Sequence, residues 1–369
     1  MFDLSNRLVT LRKKERKTQQ DVAHYVGVST AAVSKWETNQ SYPDLSVLPK
    51  LATYFNCSID DLLGYEPQMS KEHIQQLYMR LANDFQQKPF DEVYAEIQNI
   101  IKEYYACFPL LMQISVLLLN YTQLAGERTK EILSLAESLC IRIQQQSSDL
   151  RLLQLCRSLQ AQIALIKNEP QQVIALFGEE VEAYAGNDLV LASAYLQLQQ
   201  GDKAEETYQI SLFQKIVSNV FILANYLQMQ LQDEERFQET VERGFGLIRL
   251  FQLDTLHINS CISMYIGAAQ GYTIQGRMDA AFEALQRYLH VIEQTPFPIT
   301  LHGDDYFNKV DEWLLRELDL GQTMPRDEAS LRQSLLDIVE KNPMFEPLKQ
   351  DARYQVLVSN LTHMLGVNA

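Results

Sequence analysis

Apolar residues recur at helical spacing from the first residues of the chain. Leu4, Leu8 and Leu11 fall on one face, which predicts a helix from about Leu4 to Lys14. Thr18 opens Thr-Gln-Gln-Asp, a capping-box-like start in which the hydroxyl and Asp21 can satisfy free backbone amides. A second helix is therefore predicted over Gln19 to Val26, stopped by Gly27, which can take the left-handed conformation of a tight turn. Ser29 caps a third helix, Thr30 to Glu37. Asn39 to Pro43 reads as a loop, a fourth helix runs from Asp44 to Phe55, and a fifth from Ser58 to Leu63 closes at Gly64. On the third helix Val33 and Trp36 share one face and should be core, whereas Thr30, Ala31, Ser34 and Lys35 share the other.

Beyond Tyr65 to Ser70, a short segment with Pro67 that marks a boundary, helical patterning continues in pairs from Lys71 to about Gln294. Turn signals stand at Gln87-Lys88-Pro89, Gly126-Glu127, Asn168-Glu169-Pro170, Gly201-Asp202, Gln232-Asp233 and Gly276-Arg277. Their separations, roughly 38, 42, 33, 31 and 44 residues, scatter about a ~34-residue period of stacked helical hairpins. Thr295-Pro296-Phe297-Pro298 interrupts the series, and Leu301–Ala369 reads as terminal capping helices. The domain expectation is thus 1–64, a linker 65–70, repeats over 71–300, and a cap over 301–369.

Composition refines this reading. Of 369 residues, 46% are hydrophobic and 21% charged, which suits a globular protein with an ample core. No window approaches ~18 uninterrupted apolar residues, so no membrane span is expected. The start shows no charged-then-apolar export signal. Five cysteines (Cys57, Cys107, Cys140, Cys156, Cys261) stand far apart without a CxxC pair, which argues against a disulfide framework or zinc ribbon and suggests the cytoplasm. The net charge of −15 divides unevenly. Residues 1–64 hold eight Lys/Arg and seven Asp/Glu, a net of +1, and the remainder carries −16. Five of the six residues from Arg12 to Lys17 are basic, so any contact with DNA should be confined to the first unit.

Two short helices joined by a glycine turn form a helix-turn-helix, whose second helix enters the major groove. Ala23 supplies the small side chain for their close crossing. The run TQQDVAHYVGVSTAAVSKWETNQSYPDLSVLPKLATYFNCSIDDLLG resembles the DNA-binding domain of the Xre/Cro family of bacterial and phage regulators over nearly all of residues 4–64. The resemblance implies a five-helix, lambda-repressor-like domain. It also implies phosphate contact by Gln19, groove-facing Thr30, Ala31, Ser34 and Lys35 behind Ser29, and Asn39 near the DNA backbone. A structural ion pair between Arg12 and Glu37 is implied as well. Ala31 and Ala32 offer few hydrogen-bonding side chains, so base reading would rest on Ser34, Lys35 and apolar contact with thymine methyls. A small bundle that uses the fold only for protein contact is the alternative.

ASAYLQLQQGDKAEETY (192–208) and GAAQGYTIQGRMDAAFEAL (267–285) resemble tetratricopeptide repeats, with Ala204, Ala280 and Ala281 after their glycine turns. KNPMFEPLKQDARYQVLVSNL (341–361) resembles the C-terminal edge of such arrays. The fold expectation is all-α: the helix-turn-helix domain followed by a tetratricopeptide-like solenoid. This order resembles the peptide-responsive regulators of Gram-positive bacteria, which implies that inner-helix asparagines hold a peptide backbone. Candidates are Asn120, Asn225 and Asn259, although for each the solvated or locally bonded helix residue is the favoured reading.

Enzyme motifs find no match: glycine-rich phosphate loop, HExxH, GxSxG and paired zinc-ligand spacing are all missing. His302-Gly303-Asp304-Asp305 reads as a polar loop rather than a metal site. The expectation is a cytoplasmic, non-enzymatic, sequence-specific regulator. It would need no cofactor, bind double-stranded DNA as a homodimer, and sense a signalling peptide or partner protein through its repeats. A DNA-tethered scaffold that recruits a protein without peptide sensing is the competing reading.

Overall fold

The computed structural model describes residues 4–65, 68–322 and 326–367; Glu66 and Pro67, at the expected boundary, lie outside them. The regular elements are helices, and no β-strand occurs among the described residues. The chain divides into two compact units, Met1–Ser70 with Asn99–Leu111, and Lys71–Gln98 with Met112–Ala369.

The first unit holds α1 (Leu4–Lys14), α2 (Gln19–Val26), α3 (Thr30–Glu37), α4 (Leu48–Tyr54) and α5 (Ile59–Leu63). Their apolar faces converge on Leu8, Val22, Val33, Leu51 and Leu62, with Ala23 and Trp36 also buried. The first three helices have the bounds predicted from leucine spacing for α1 and from caps for α2 and α3. The fourth does not: it begins at Leu48 rather than Asp44 and ends at Tyr54. Asp44 Oδ1 accepts from the Ser46 amide (2.9 Å) and hydroxyl (2.6 Å), and the Val47 amide donates to the Asp44 carbonyl (2.9 Å). These local bonds hold a turn in competition with helix. Ser58 is the cap of α5 rather than its first residue, paired with Asp61 in a capping box.

The following helices are α6 (Lys71–Gln87), α7 (Phe90–Glu103), α8 (Phe108–Asn120), α9 (Thr129–Gln146), α10 (Leu150–Ile166), α11 (Pro170–Phe177), α12 (Asn187–Gln197) and α13 (Gly201–Tyr226). After them come α14 (Glu234–Leu250), α15 (Leu253–Leu256), α16 (Ile258–Ile274), α17 (Met278–Gln294), α18 (Val310–Glu317), α19 (Glu328–Glu340) and α20 (Ala352–Leu365). Every predicted turn position falls at a helix junction. The second unit is organised around α16, buried along most of its length and packed on α13, α14 and α17. Small residues permit this. A Cβ on Gly271 would lie 2.1 Å from the Phe237 ring, and one on Gly244 would lie 2.4 Å from Met264. Ala204 and Ala281 are buried after their turns.

The segment after Pro298 shares this core. Phe307, Val310, Leu336, Phe345, Tyr354 and Leu365 are buried with the α13–α17 residues, and Tyr288 donates its hydroxyl to the Leu335 carbonyl at 2.6 Å. Residues 309–322, with Asp327, also contact the earlier helices of the unit. Lys71 Nζ donates to the carbonyls of Leu315 (3.0 Å) and Arg316 (2.8 Å), Gln75 to that of Leu320 (2.9 Å), and Gln113 to Asp319 (2.9 Å). Arg151 reaches Asp319 (3.2 Å), Tyr121 donates to Asp327 (3.1 Å), and Arg316 reaches Glu206 on α13 (2.9 Å).

One helix bears on the expectation of no membrane span. Gly201–Met229 has a mean hydropathy of 1.3 over an 18-residue window, long and apolar enough by length and composition to cross a membrane. A search for an unbroken apolar run misses it because Gln214, Lys215, Ser218 and Asn219 interrupt the sequence. Its Phe213, Ile216, Val217, Val220 and Ala224 belong to the unit's core. The five cysteines are free thiols. In the His302 loop Asp304 Oδ1 accepts from the Tyr306 (2.9 Å) and Phe307 (2.7 Å) amides, so that carboxylate closes a turn.

Because Gly271 has no room for a side chain, Gly271→Ala should destabilise the protein by ~1–3 kcal/mol through displacement of Phe237. Gly246→Ala, where the added methyl meets nothing within 4 Å, should not. Thermal melting of both variants checks this.

Candidate nucleic-acid interface

The geometry of α2 and α3 follows from their ends. Thr18 Oγ1 accepts from the Asp21 amide (3.1 Å), and Asp21 Oδ2 accepts from the Thr18 amide (2.8 Å) and hydroxyl (2.7 Å). These bonds, the backbone one first, hold the Asp21 carboxyl below its ordinary value. Gly27 ends α2 at φ 84°, and the amides of Gly27 and Val28 both donate to the Ala23 carbonyl at 3.0 Å. Ser29 then caps α3, its hydroxyl accepting from the Ala32 amide at 3.2 Å.

Val33 and Trp36 turn inward, and Thr30, Ala31 and Lys35 are exposed on the opposite strip, with Ser34 half-buried between them. Thr38 continues the strip; its hydroxyl donates to the Ser34 carbonyl at 2.8 Å. Asn39 follows at φ 58°, exposed, in a left-handed conformation that asparagine tolerates better than most residues. Gln40 and the 62%-exposed Tyr42 stand beside it. Neither was singled out from sequence, although their place just after α3 was the available signal.

A single carboxylate fixes this arrangement. Arg12 on α1 donates to both oxygens of Glu37 on α3, at 2.5 and 2.8 Å, and Gln19 of α2 donates its amide to Glu37 Oε2 at 2.8 Å. Gln19 is therefore anchored by the same group that ties α1 to α3. Burial by itself would raise the Glu37 carboxyl, but the bonds from Arg12 and Gln19 outweigh it and hold it below its ordinary value. The bond to Glu37 raises Arg12. Of the basic run, Arg12 is thus committed inward, while Lys13, Lys14, Arg16 and Lys17 are exposed.

Residues 8–62 match the helix-turn-helix family HTH_3. The HTH-type transcriptional activator BcrR of Enterococcus faecalis is 34% identical over 65 residues, 18% of this chain and 32% of its own length. The cryptic phage CTXphi transcriptional repressor RstR of Vibrio cholerae serotype O1 is 32% identical over 78 residues, 21% of this chain and 67% of its own length. The chain belongs to the helix-turn-helix family. It does so through its first unit, and it spans about a third of the length of BcrR. The apo form of the competence regulator ComR from Streptococcus vestibularis aligns over 84% of this chain and 96% of its own, at 13% identity and a TM-score of 0.21.

The second unit's asparagines are dispersed. Asn120 is half-buried and donates to the Tyr78 hydroxyl at 3.0 Å. Asn225 is exposed and donates to the Phe221 carbonyl of its own helix at 2.8 Å. It lines a groove of about 760 Å³ with Phe213, Val217, Phe221, His257 and Trp313. Asn259 is exposed on α16, two positions after His257.

Arg12→Ala should cost the helix-turn-helix unit ~1–3 kcal/mol, because Glu37 keeps its burial but loses its cation. Glu37 lies below its ordinary 4.5 when folded, so its stabilising contribution is complete above pH 4.5 and fades as pH falls through the lower folded value. Hydrogen exchange of the α1–α3 amides in the intact protein should show that acid-dependent loss in the wild type and a flatter profile in Arg12→Ala.

Proposed function

We propose that the protein is a transcription regulator that binds double-stranded DNA through α3, as a homodimer, and whose helical body senses a peptide or protein ligand. The observation that carries the DNA reading is the outward strip of exposed Thr30, Ala31 and Lys35, with half-buried Ser34, on the second helix of a family helix-turn-helix. In this reading Lys35 and Ser34 meet base edges, the two alanines meet thymine methyls, and Ser29, Gln19 and Asn39 approach the backbone. Charge supports it, since the basic run belongs to a unit of net +1 and the remaining −16 is repelled by phosphate. Both named relatives are transcriptional regulators.

A single unit of this size selects too short a sequence for one genomic site, which favours two recognition helices about 34 Å apart on a palindrome. For the ligand, the groove beside α13 offers an apolar lining with a few polar groups, the arrangement that small ligands and peptide side chains use. Burial pushes the His257 imidazole below its ordinary value, which disfavours its charged form in the groove. The acidic body disfavours an acidic ligand; a neutral or basic, partly apolar segment fits. Asn225 must release its own-helix bond to engage one, with Asn259 further along and Asn120 held apart by Tyr78. That engaged state of Asn225 is what favours the second reading, a DNA-tethered scaffold whose body recruits a folded partner.

Lys35→Ala should weaken binding to the protein's own operator by ~1–3 kcal/mol and relax its preference at one position, while Gln19→Ala should weaken all sequences alike. Footprinting on upstream DNA followed by titration measures both; unchanged affinity in folded variants would remove these residues from the interface. For the sensing reading, operator affinity with and without a secreted-peptide fraction should respond in the wild type and not in an Asn225→Ala, Asn259→Ala double variant. An equal response in both rejects the asparagine clamp.

A further inference from the structure

The groove beside α13 is marked by what its wall omits. Asp, Glu, Lys and Arg make up 21% of the chain, yet none of them is among the thirteen described residues that line it. Apolar side chains such as Val217, Phe221 and Trp313 form the wall, and neutral polar groups, Ser218, Asn225 and His257, stand among them. An ionised group entering such a lining loses water and gains no counter-charge. His257 is the N-cap residue of α16, and its Nδ1 accepts from the Ser260 amide at 3.3 Å. A backbone amide only donates, so Nδ1 carries no proton and the proton of the neutral ring is on Nε2. The ring meets Phe221 edge-on at 5.8 Å between centroids and Phe213 at 6.4 Å, contacts that hold its plane. Nε2 has no bonding partner among the described residues, and it is not one of their sealed, unpaired side-chain atoms, which are Oε1 of Gln230 and of Gln275. It is therefore a donor open to the groove. Asn225 differs, because its amide already donates to the Phe221 carbonyl.

We propose that His257 selects the ligand of this groove by donating Nε2–H to a carbonyl oxygen of an uncharged, apolar peptide segment. This rests on the sensing reading given above and adds the chemistry that would be recognised. A carbonyl accepts a hydrogen bond without bringing charge into the lining. The donor is already oriented by the Ser260 bond and the two phenyl rings, so little rotamer freedom is lost when it is used. A carboxylate would find the same donor but nothing to balance its charge, and an ammonium would find no acceptor on His257. The aromatic wall suits a ring or a branched aliphatic group beside the carbonyl. The body as a whole fits a neutral or basic segment; the groove narrows the choice to a neutral one.

The chain has two tryptophans; Trp313 lines the groove and Trp36 is buried in the helix-turn-helix core. Tryptophan emission of the full-length protein therefore reports occupancy, with Trp313→Phe as the control that assigns the signal. Three probes share a phenyl ring: N-acetylphenylalanine amide is neutral and carries carbonyls, N-acetylphenylalanine adds an ionised carboxylate, and propylbenzene has no acceptor. The amide should bind roughly 10-fold more tightly than the carboxylate. His257→Asn keeps an N-cap side chain for Ser260 and removes Nε2. It should weaken the amide roughly 5-fold, the worth of one neutral hydrogen bond, and leave propylbenzene unchanged. His257→Gln, which can return an N–H to the place of Nε2, should recover part of the amide affinity. Equal amide binding by wild type and His257→Asn, equal loss of amide and propylbenzene in that variant, a carboxylate bound as tightly as the amide, or no Trp313 signal with any probe overturns the proposal. The sensing reading is judged apart from it. Wild-type operator affinity that ignores a secreted-peptide fraction rejects that reading, whereas a response undiminished in His257→Asn rejects only the role of His257.

Discussion

Each helical hairpin in this chain carries more apolar surface than it can cover by itself, and the architecture is the set of solutions to that constraint. Where neighbours are available the solution is thorough. α16 is sheathed by α13, α14 and α17, and its Gly271 lets Phe237 approach closer than any side chain would permit. The helices after Pro298 bury their own faces against the same core. Where neighbours are missing, at α11 and α12, the apolar surface stays open. One principle thus accounts for the best-packed and the least-packed parts of the body.

The helix-turn-helix unit solves a different problem: a short helix must be held rigidly with one face left bare. Apolar burial of Val33 and Trp36 sets which face is bare but not the angle at which it is presented. The angle is fixed by directional bonds. Glu37 receives α1 through Arg12 and α2 through Gln19, so three helices are referenced to one carboxylate a turn beyond the outward strip.

Much of this was legible in the sequence because its signals are local. Thr18, Gly27 and Ser29 each act within three or four residues, and the bounds of α2 and α3 follow from them directly. The same locality misled at Asp44, where a side chain satisfies backbone amides in a turn and a helical pattern reads straight through it. Long-range relations were less accessible. That Gln19 joins the Arg12–Glu37 pair depends on folding residues 18 apart onto one carboxylate. The groove beside α13 depends on Trp313 meeting residues such as Val217, and no periodicity announces that meeting. Asn225 could be placed on its helix, but the engagement of its amide with Phe221 could not be anticipated.

The contacts of residues 315–320 with the earlier helices have a consequence for the order of assembly. Lys71, Gln75, Gln113 and Arg151 find their partners on the segment from Leu315 to Leu320. During synthesis that segment emerges roughly 240 positions after Gln75, a delay of about 12–50 s at ~5–20 residues per second. Throughout that interval α6 to α10 can form helices and pair locally but lack the strand of chain that ties them to α13. The nascent body is therefore expected to wait in a loosely joined state, with the side chains of Lys71, Gln75, Gln113 and Arg151 turned to water until the late segment supplies their partners.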